Sequence, residues 1–247
     1  MTAELFREDA ALLHCEATVL AVDEAGVVLD RTVFYPLGGG QAGDTGLLRA
    51  ASGAVLPIID TRKHKDRPGA IAHVPEAGAD LSHFAVGTRV VARVDEGRRH
   101  AHMRFHTATH LLCALVPHPV DGCSITAGHA RLDFHMNEPL DKDALNAGIA
   151  RLVAEAHAVR HRWISEEELD ANPGLVRSMS VQPPRSADGL GRIRVLEIEG
   201  VDLQPCGGTH VVNTAEVGDV VVTRIEKKSA MTRRVMLGFA EPGHSPG

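Results

Sequence analysis

Two pairs of side chains, each four residues apart and about a hundred residues from one another, constrain this chain more than anything else in it. His106-x-x-x-His110 lies in RFHTATHLL, and Cys206-x-x-x-His210 lies in QPCGGTHVVNT. Residues i and i+4 of an α-helix share a face, so two imidazoles at that spacing can grip one ion. Thiolate and imidazole are donors that zinc favours, and the two halves together complete a tetrahedral set. A fold that uses them must carry a helix and a distant turn to one point. The expectation is one Zn2+ per chain, held by His106, His110, Cys206 and His210.

The chain has 15 histidines, so i+4 pairs also arise by chance, and His102–His106 is one. The apolar run Leu111, Leu112, Ala114, Leu115 and Val116 continues a helix beyond His110, which favours the His106–His110 pair. The double glycine of Cys206-Gly207-Gly208-Thr209-His210 permits positive φ, so a short irregular turn can aim both ligands inward. No Glu adjoins the histidine pair as in an HExxH metalloprotease.

At 247 residues the chain can hold one large or two modest domains, and 44% hydrophobic content marks it as globular. Aromatic residues make up only 3%, which argues against a base-stacking platform. The net charge of −6 excludes a global basic footprint, so a nucleic-acid partner would be held locally. Cys15, Cys113, Cys123 and Cys206 show no paired spacing, which fits a reducing compartment. The charged start MTAELFREDAALLH reads as no signal peptide, and no segment approaches the ~20 apolar residues of a membrane span. A cytoplasmic protein without a membrane partner is expected.

Up to Asp95 the pattern is short β runs broken by turns, at Ala17–Val22, Val27–Asp30, Thr32–Tyr35, Leu47–Arg49, Val55–Ile59, Ile71–Val74 and Arg89–Val94. Asp23–Gly26 reads as a hairpin turn, and the set suggests a small barrel. Beyond it come a helix over Met103–Val116, two strands of which the second is Ala130–Met136, and a helix over Asp141–Arg160 capped by Asp141. Further strands are expected near Arg162–Ser165, Ile193–Glu199, Val217–Glu226 and Arg234–Ala240, with a loop over Met179–Gly191 and a frayed tail. The predicted class is α+β. A β-barrel domain (1–97) with a glycine-rich motif precedes a domain (98–247) with an antiparallel sheet and helices.

These motifs resemble, in order and over nearly the whole chain, the AlaX-type trans-editing proteins, free-standing relatives of the alanyl-tRNA synthetase editing domain. FYPLGGGQAGDTG (Phe34–Gly46) is similar to the family's glycine-rich motif. RFHTATHLL is similar to its HxxxH helix, and CGGTHVVNTAEVG (Cys206–Gly218) to its CxxxH segment, with GHARLDF (Gly128–Phe134) between them. The length and layout are similar to the medium-sized members. The resemblance implies a zinc-dependent hydrolase that removes serine misattached to alanine tRNA, with tRNA as partner and the four ligands above. It also implies that Gly38, Gly39, Gly40, Gln41 and Asp44 serve the tRNA end, and that Thr209 lies at the substrate site.

A pocket sized for alanine rejects serine by only a factor of ~100, whereas a site that requires the hydroxyl can reach ~10⁴. Ser124 and Thr126 are the candidates for that sensor, with strand-edge hydroxyls as the alternative. The Gly38–Gly40 run lacks the Lys-Ser/Thr of a P-loop, so a tight barrel turn competes with a ligand-facing loop. Arg98, Arg99, Arg104, Lys227, Lys228, Arg233 and Arg234 are candidate phosphate contacts. No catalytic acid or base is identified. A non-catalytic tRNA-binding module with structural zinc and a small-molecule zinc hydrolase are the competing readings.

Overall fold

The computed structural model describes residues 1–179, 182–185 and 190–240. The expected loop at Met179–Gly191 lies partly outside these residues, and the expected frayed tail wholly outside them. The chain divides into two compact units, Met1–His100 and Ala101–Gly247. The class is α+β, a barrel followed by antiparallel sheets with few helices.

The first unit opens with β1 (Ala3–Glu4), a 3-10 turn at Leu5–Arg7, and β2 (His14–Asp23). There follow β3 (Gly26–Leu29), β4 (Arg31–Thr32), β5 (Gly46–Ala50), β6 (Val55–Lys63), β7 (Ile71–Pro75) and β8 (Arg89–Val94). Six of these close a barrel in the order β2-β3-β7-β6-β5-β8. Strict alternation fills it: in β8, Val90, Ala92 and Val94 point inward while Arg89, Val91 and Arg93 face out. Phe34, Leu48, Leu56, Ile58 and Phe84 complete the core. The β2–β3 hairpin turns where the sequence suggested. The Asp23 carboxylate accepts from the Ala25 N–H, and Gly26 takes a φ of 126°. A Cβ at Gly26 would stand 2.3 Å from the His73 carbonyl oxygen, so glycine is required there. The expected strand at Thr32–Tyr35 is only the short β4; its remainder runs into the turn around Pro36.

α1 (Glu96–Leu115) starts seven residues before the expected Met103. The charged run Asp95–His100 therefore leads into and forms the start of the helix, and the division between the two units falls at its end. Asp95 is the reason: its carboxylate accepts from the Arg98 N–H, and its carbonyl from the Arg99 N–H. The buried stripe of α1 holds Arg99, His102, His106 and His110 beside Met103, Thr107 and Leu111. That polar content explains why its period was hard to read as apolar.

The second unit holds β9 (Val120–Ile125), β10 (Ala130–His135), α2 (Lys142–Ala154), β11 (Val159–Ile164) and α3 (Glu166–Ala171). It ends with β12 (Ile193–Ile198), β13 (Asp202–Pro205), a 3-10 turn at Thr214–Val217, β14 (Val220–Ser229) and β15 (Thr232–Phe239). One antiparallel sheet runs β14-β15-β10-β9 and a second runs β11-β12-β13. Asp141 caps α2 as expected, accepting from the N–H groups of Asp143 and Ala144. Leu145, Ile149 and Leu152 form its buried stripe. The expected helix overran to Arg160 because Ala156, at φ 55°, ends it without the usual glycine, and Val159 already belongs to β11. Among the described residues no helix is long and apolar enough to cross a membrane.

Arg99 and Asp44 form an ion pair in which each side chain is 1% exposed. The guanidinium also donates to the carbonyls of Ala10 (2.8 Å) and Val33 (2.5 Å), and Asp44 accepts from the Tyr35 N–H at 2.7 Å. Removing one partner leaves the other charged in a dry interior, at a cost of about 3–5 kcal/mol. Arg99→Ala and Asp44→Ala should each lower unfolding stability in urea by that order; losses under about 1 kcal/mol would remove the pair from the framework.

Candidate metal centre

The four predicted ligand residues meet. His106, His110, Cys206 and His210 are all buried, and one donor atom from each lies within 4.8 Å of the others. The His106 and His110 rings stack on one face of α1 with centroids 5.6 Å apart, and the His210 ring closes on His106 at 4.3 Å. The Cys206 Sγ stands 3.4 Å from His106 Nε2 and 3.5 Å from His210 Nε2. Tetrahedral metal bonds of about 2.3 Å to sulfur and 2.0–2.1 Å to nitrogen give an S···N edge of about 3.6 Å, so these gaps suit one ion. This cluster could bind a metal ion. His102 is buried one turn earlier on α1 and is not among the four converging donors.

Neighbouring groups set the state of each ligand. Burial disfavours charge on His110, but Asp202 and Cys206 outweigh it and push its pKa up to about 10. Burial would raise the Cys206 thiol, yet the adjoining His106 and His210 hold it well below the ordinary range. Burial brings His210 down to about 3, so it is neutral. The other three cysteines go the opposite way: burial raises Cys15, and pushes Cys113 and Cys123 up to about 12. All four are free thiols. Cys206 is thus the cysteine prepared to act as a thiolate ligand.

Three supporting residues escaped the sequence reading. Asp202 Oδ2 accepts from His110 Nδ1 at 2.8 Å, which turns Nε2 toward the other donors. Gln204 Nε2 donates to both Asp202 oxygens at 2.9 Å. Arg194, buried on β12, donates to the carbonyls of Cys206 (2.7 Å) and Gly208 (3.3 Å) and so ties down the ligand turn. The turn closes without positive φ at Gly207 or Gly208, contrary to expectation; this guanidinium fixes it instead. Asp202 and Gln204 sit at alternate positions of β13, a strand too short to stand out. Their i/i+2 spacing four residues before Cys206 was the available signal.

The remaining candidates are dispersed. Thr209 is fully buried between Cys206 and His210. Ser124 is half-buried on β9, a strand close enough that the Cys206 charge is felt at Cys123, but it pairs with Arg131 on the opposite face from Cys123. The Thr126 hydroxyl is committed to the β9–β10 turn, accepting from the Gly128 and His129 N–H groups and donating to the His129 carbonyl.

The glycine motif belongs to the barrel unit. Gly38 and Gln41 exchange backbone hydrogen bonds of 3.0 and 3.1 Å around Gly39 (φ 58°) and Gly40 (φ 85°), a type I′ turn. Gln41 is buried and Gly39 exposed. Asp44 lies beneath the turn, engaged by Arg99, so both serve the framework rather than a surface for phosphate. Arg233 is likewise turned inward, onto the carbonyls of Asn137, Glu138 and Ser229. Arg98 donates to the Gly43 carbonyl, and Arg104 pairs with Asp219 and covers the Phe239 ring.

Two stretches match known domain families: residues 193–236 match the threonyl and alanyl tRNA synthetase second additional domain, and residues 8–98 match the class II (A) tRNA synthetases. An alanyl-tRNA editing protein AlaX-M of Methanosarcina barkeri is 34% identical over 244 residues, covering 95% of this chain and 98% of the relative. Its Saccharolobus solfataricus counterpart is 32% identical over 247 residues, with 95% and 98% covered. An alanine–tRNA ligase of Pyrococcus furiosus is 32% identical over 257 residues, covering 97% of this chain but 26% of the ligase.

The cluster generates a prediction with a sign. Below about pH 10 His110 carries a proton that a metal must displace from Nε2, whereas His210 is already neutral and the Cys206 thiol is held well below its ordinary range. Metal affinity should therefore rise with pH through neutrality, the His110 proton being released as the ion binds. Asp202→Asn should weaken binding by about 10–100-fold and reduce that proton release. Calorimetry in buffers of different ionisation enthalpy measures both; an unchanged proton count would separate Asp202 from His110.

Proposed function

The chain belongs to the AlaX-M family of alanyl-tRNA editing proteins, and from that premise we propose that it hydrolyses, in trans, the ester linking mistakenly attached serine to alanine tRNA. The observation that carries this reading is the buried cluster of His106, His110, Cys206 and His210, whose four donors converge from two distant segments. One sulfur and three nitrogens at tetrahedral separations suit zinc better than magnesium or calcium, which take oxygen. We assign these four residues as the ligands of one Zn2+ per chain. When bound, the ion would lock the ligand turn to α1 and offer positive charge to the ester carbonyl.

The protein's own groups supply the rest. Asp202 and Gln204 orient His110, and Arg194 holds the Cys206–Gly208 backbone. An aminoacyl ester is more easily hydrolysed than a peptide, so placing water and ester side by side does much of the work. Discrimination requires a polar partner that serine satisfies and alanine leaves unpaired, at about 1–3 kcal/mol. With Thr126 committed to its turn and Ser124 on the face of β9 away from Cys123, Thr209 is the hydroxyl we assign to that role. The exposed Gly38–Gly40 turn is assigned to tRNA contact through its backbone, with Gln41 anchoring it from inside.

Two expected outcomes test the proposal. Hydrolysis of serine-charged alanine tRNA should exceed that of correctly alanine-charged tRNA by at least about tenfold at equal protein and fixed salt. Cys206→Ala should lose both zinc and activity. Equal rates on the two charged tRNAs would contradict editing, and activity on simple esters alone would favour a small-molecule hydrolase. Gly39→Val, which forces a β-branched residue to positive φ, should slow deacylation while zinc stays bound; full activity in that variant would reduce the turn to a barrel connection.

A further inference from the structure

The outer face of the β14-β15-β10-β9 sheet is built unlike its inner one. Leu132, Phe134, Val222, Val235 and Leu237 are buried on the inner side. At the same sheet positions the outer side carries Arg131, Arg234 and Lys228 around a single carboxylate, Asp133. Arg234 reaches it with two bonds of 2.8 and 2.9 Å, Lys228 at 3.0 Å, and Arg131 at 3.6 Å. Asp133 itself is 4% exposed, lying under its cations. Burial would raise its pKa, but Arg234, Lys228 and Arg131 hold it at about 2, so it is ionised at neutral pH.

A β-bulge enlarges this face. In β14 the register shifts between Val222 and Arg224, pairing Val222 with Leu237 but Arg224 with Met236. In a regular strand Arg224 would follow Val222 into the core; the extra residue turns it outward instead. The Arg224 side chain is 72% exposed, and Glu226 lies next to it at 2.8 Å. Four cations therefore stand against three carboxylates, Asp133, Glu226 and the Asp121 that pairs with His135, on a chain whose net charge is −6. One face of one sheet thus holds a local excess of positive charge that the composition conceals.

We infer that this charged sheet face, with Arg131, Arg224, Lys228 and Arg234 around Asp133, binds the phosphate backbone of RNA and docks the tRNA body. The inference rests on the reading of tRNA as substrate and adds the surface that holds it. Asp133 spaces and orients Arg234 and Lys228 while leaving the face with net positive charge. Contacts of this kind position without reading sequence, so the face should hold tRNAs of different identity equally well. Recognition of alanine tRNA must then come from elsewhere in the chain.

The test measures binding of uncharged tRNA transcripts to the zinc-loaded, full-length protein between about 50 and 200 mM salt. Arg224→Gln combined with Lys228→Gln should weaken binding about tenfold at the low-salt end and flatten the slope of log affinity against log salt by about 1.5–2. Glu226→Gln, which removes a negative charge from the face, should tighten binding about threefold or more, a gain that misfolding cannot imitate. Arg31→Gln combined with Arg62→Gln, two exposed barrel cations, should leave affinity unchanged. The inference is overturned if the Arg224/Lys228 pair binds like the wild type, if the barrel pair loses as much, or if Glu226→Gln weakens binding. Serine release assayed on the same proteins separates the two claims. A wild type that hydrolyses mischarged tRNA with affinity indifferent to these positions keeps the proposed function and loses the face. A wild type that neither binds nor hydrolyses tRNA loses both.

Discussion

One convergence governs the second unit: α1 must deliver His106 and His110 to the point where the turn after β13 delivers Cys206 and His210. Cys206 stands 3.4 Å from His106 across a hundred residues of sequence. Three imidazoles and a thiol in a dry interior are costly unless each polar atom is used. The surrounding structure meets that demand by charge as well as packing. Asp202 sustains charge on His110, the imidazoles sustain the thiolate, and Arg194 takes up the carbonyls of the ligand turn. Metal binding would exchange one proton for an ion inside a frame already built around it.

The barrel unit shows the same economy on a smaller scale. The glycine motif includes Asp44, and the first turn of α1 carries the arginine that pairs with it. Residues that look like ligand contacts in sequence are in part the supports of the loop that would make the contact. Within each unit, charged side chains thus divide into those that face out and those that hold backbone from beneath, and burial separates them. Arg99, Asp44 and Arg233 belong to the second group, while Arg224 and Lys228 belong to the first.

Much of this was legible in the sequence, and the failures have physical causes. The four ligands were readable because metal geometry imposes spacings that survive without any structure. Barrel strands such as β6 and β8 were readable because one face meets a core and the other meets solvent, which writes period two into the chain. The start of α1 was misplaced because its buried stripe is polar, and the end of α2 because Ala156 occupies a conformation that glycine usually announces. Asp202, Gln204 and Arg194 were missed because their role depends on partners brought together only by folding. The outward turn of Arg224 depends on a bulge, and a one-residue insertion in pairing leaves no mark in composition.

The central claim is that two segments distant in sequence share one metal ion through one sulfur and three nitrogens. X-ray absorption at the zinc edge of the loaded protein measures that directly. The account predicts one sulfur at about 2.3 Å and three nitrogens at about 2.0–2.1 Å. A shell of nitrogen and oxygen without sulfur, or one with two sulfurs, would contradict it, because Cys206 is the one thiol whose surroundings favour the thiolate.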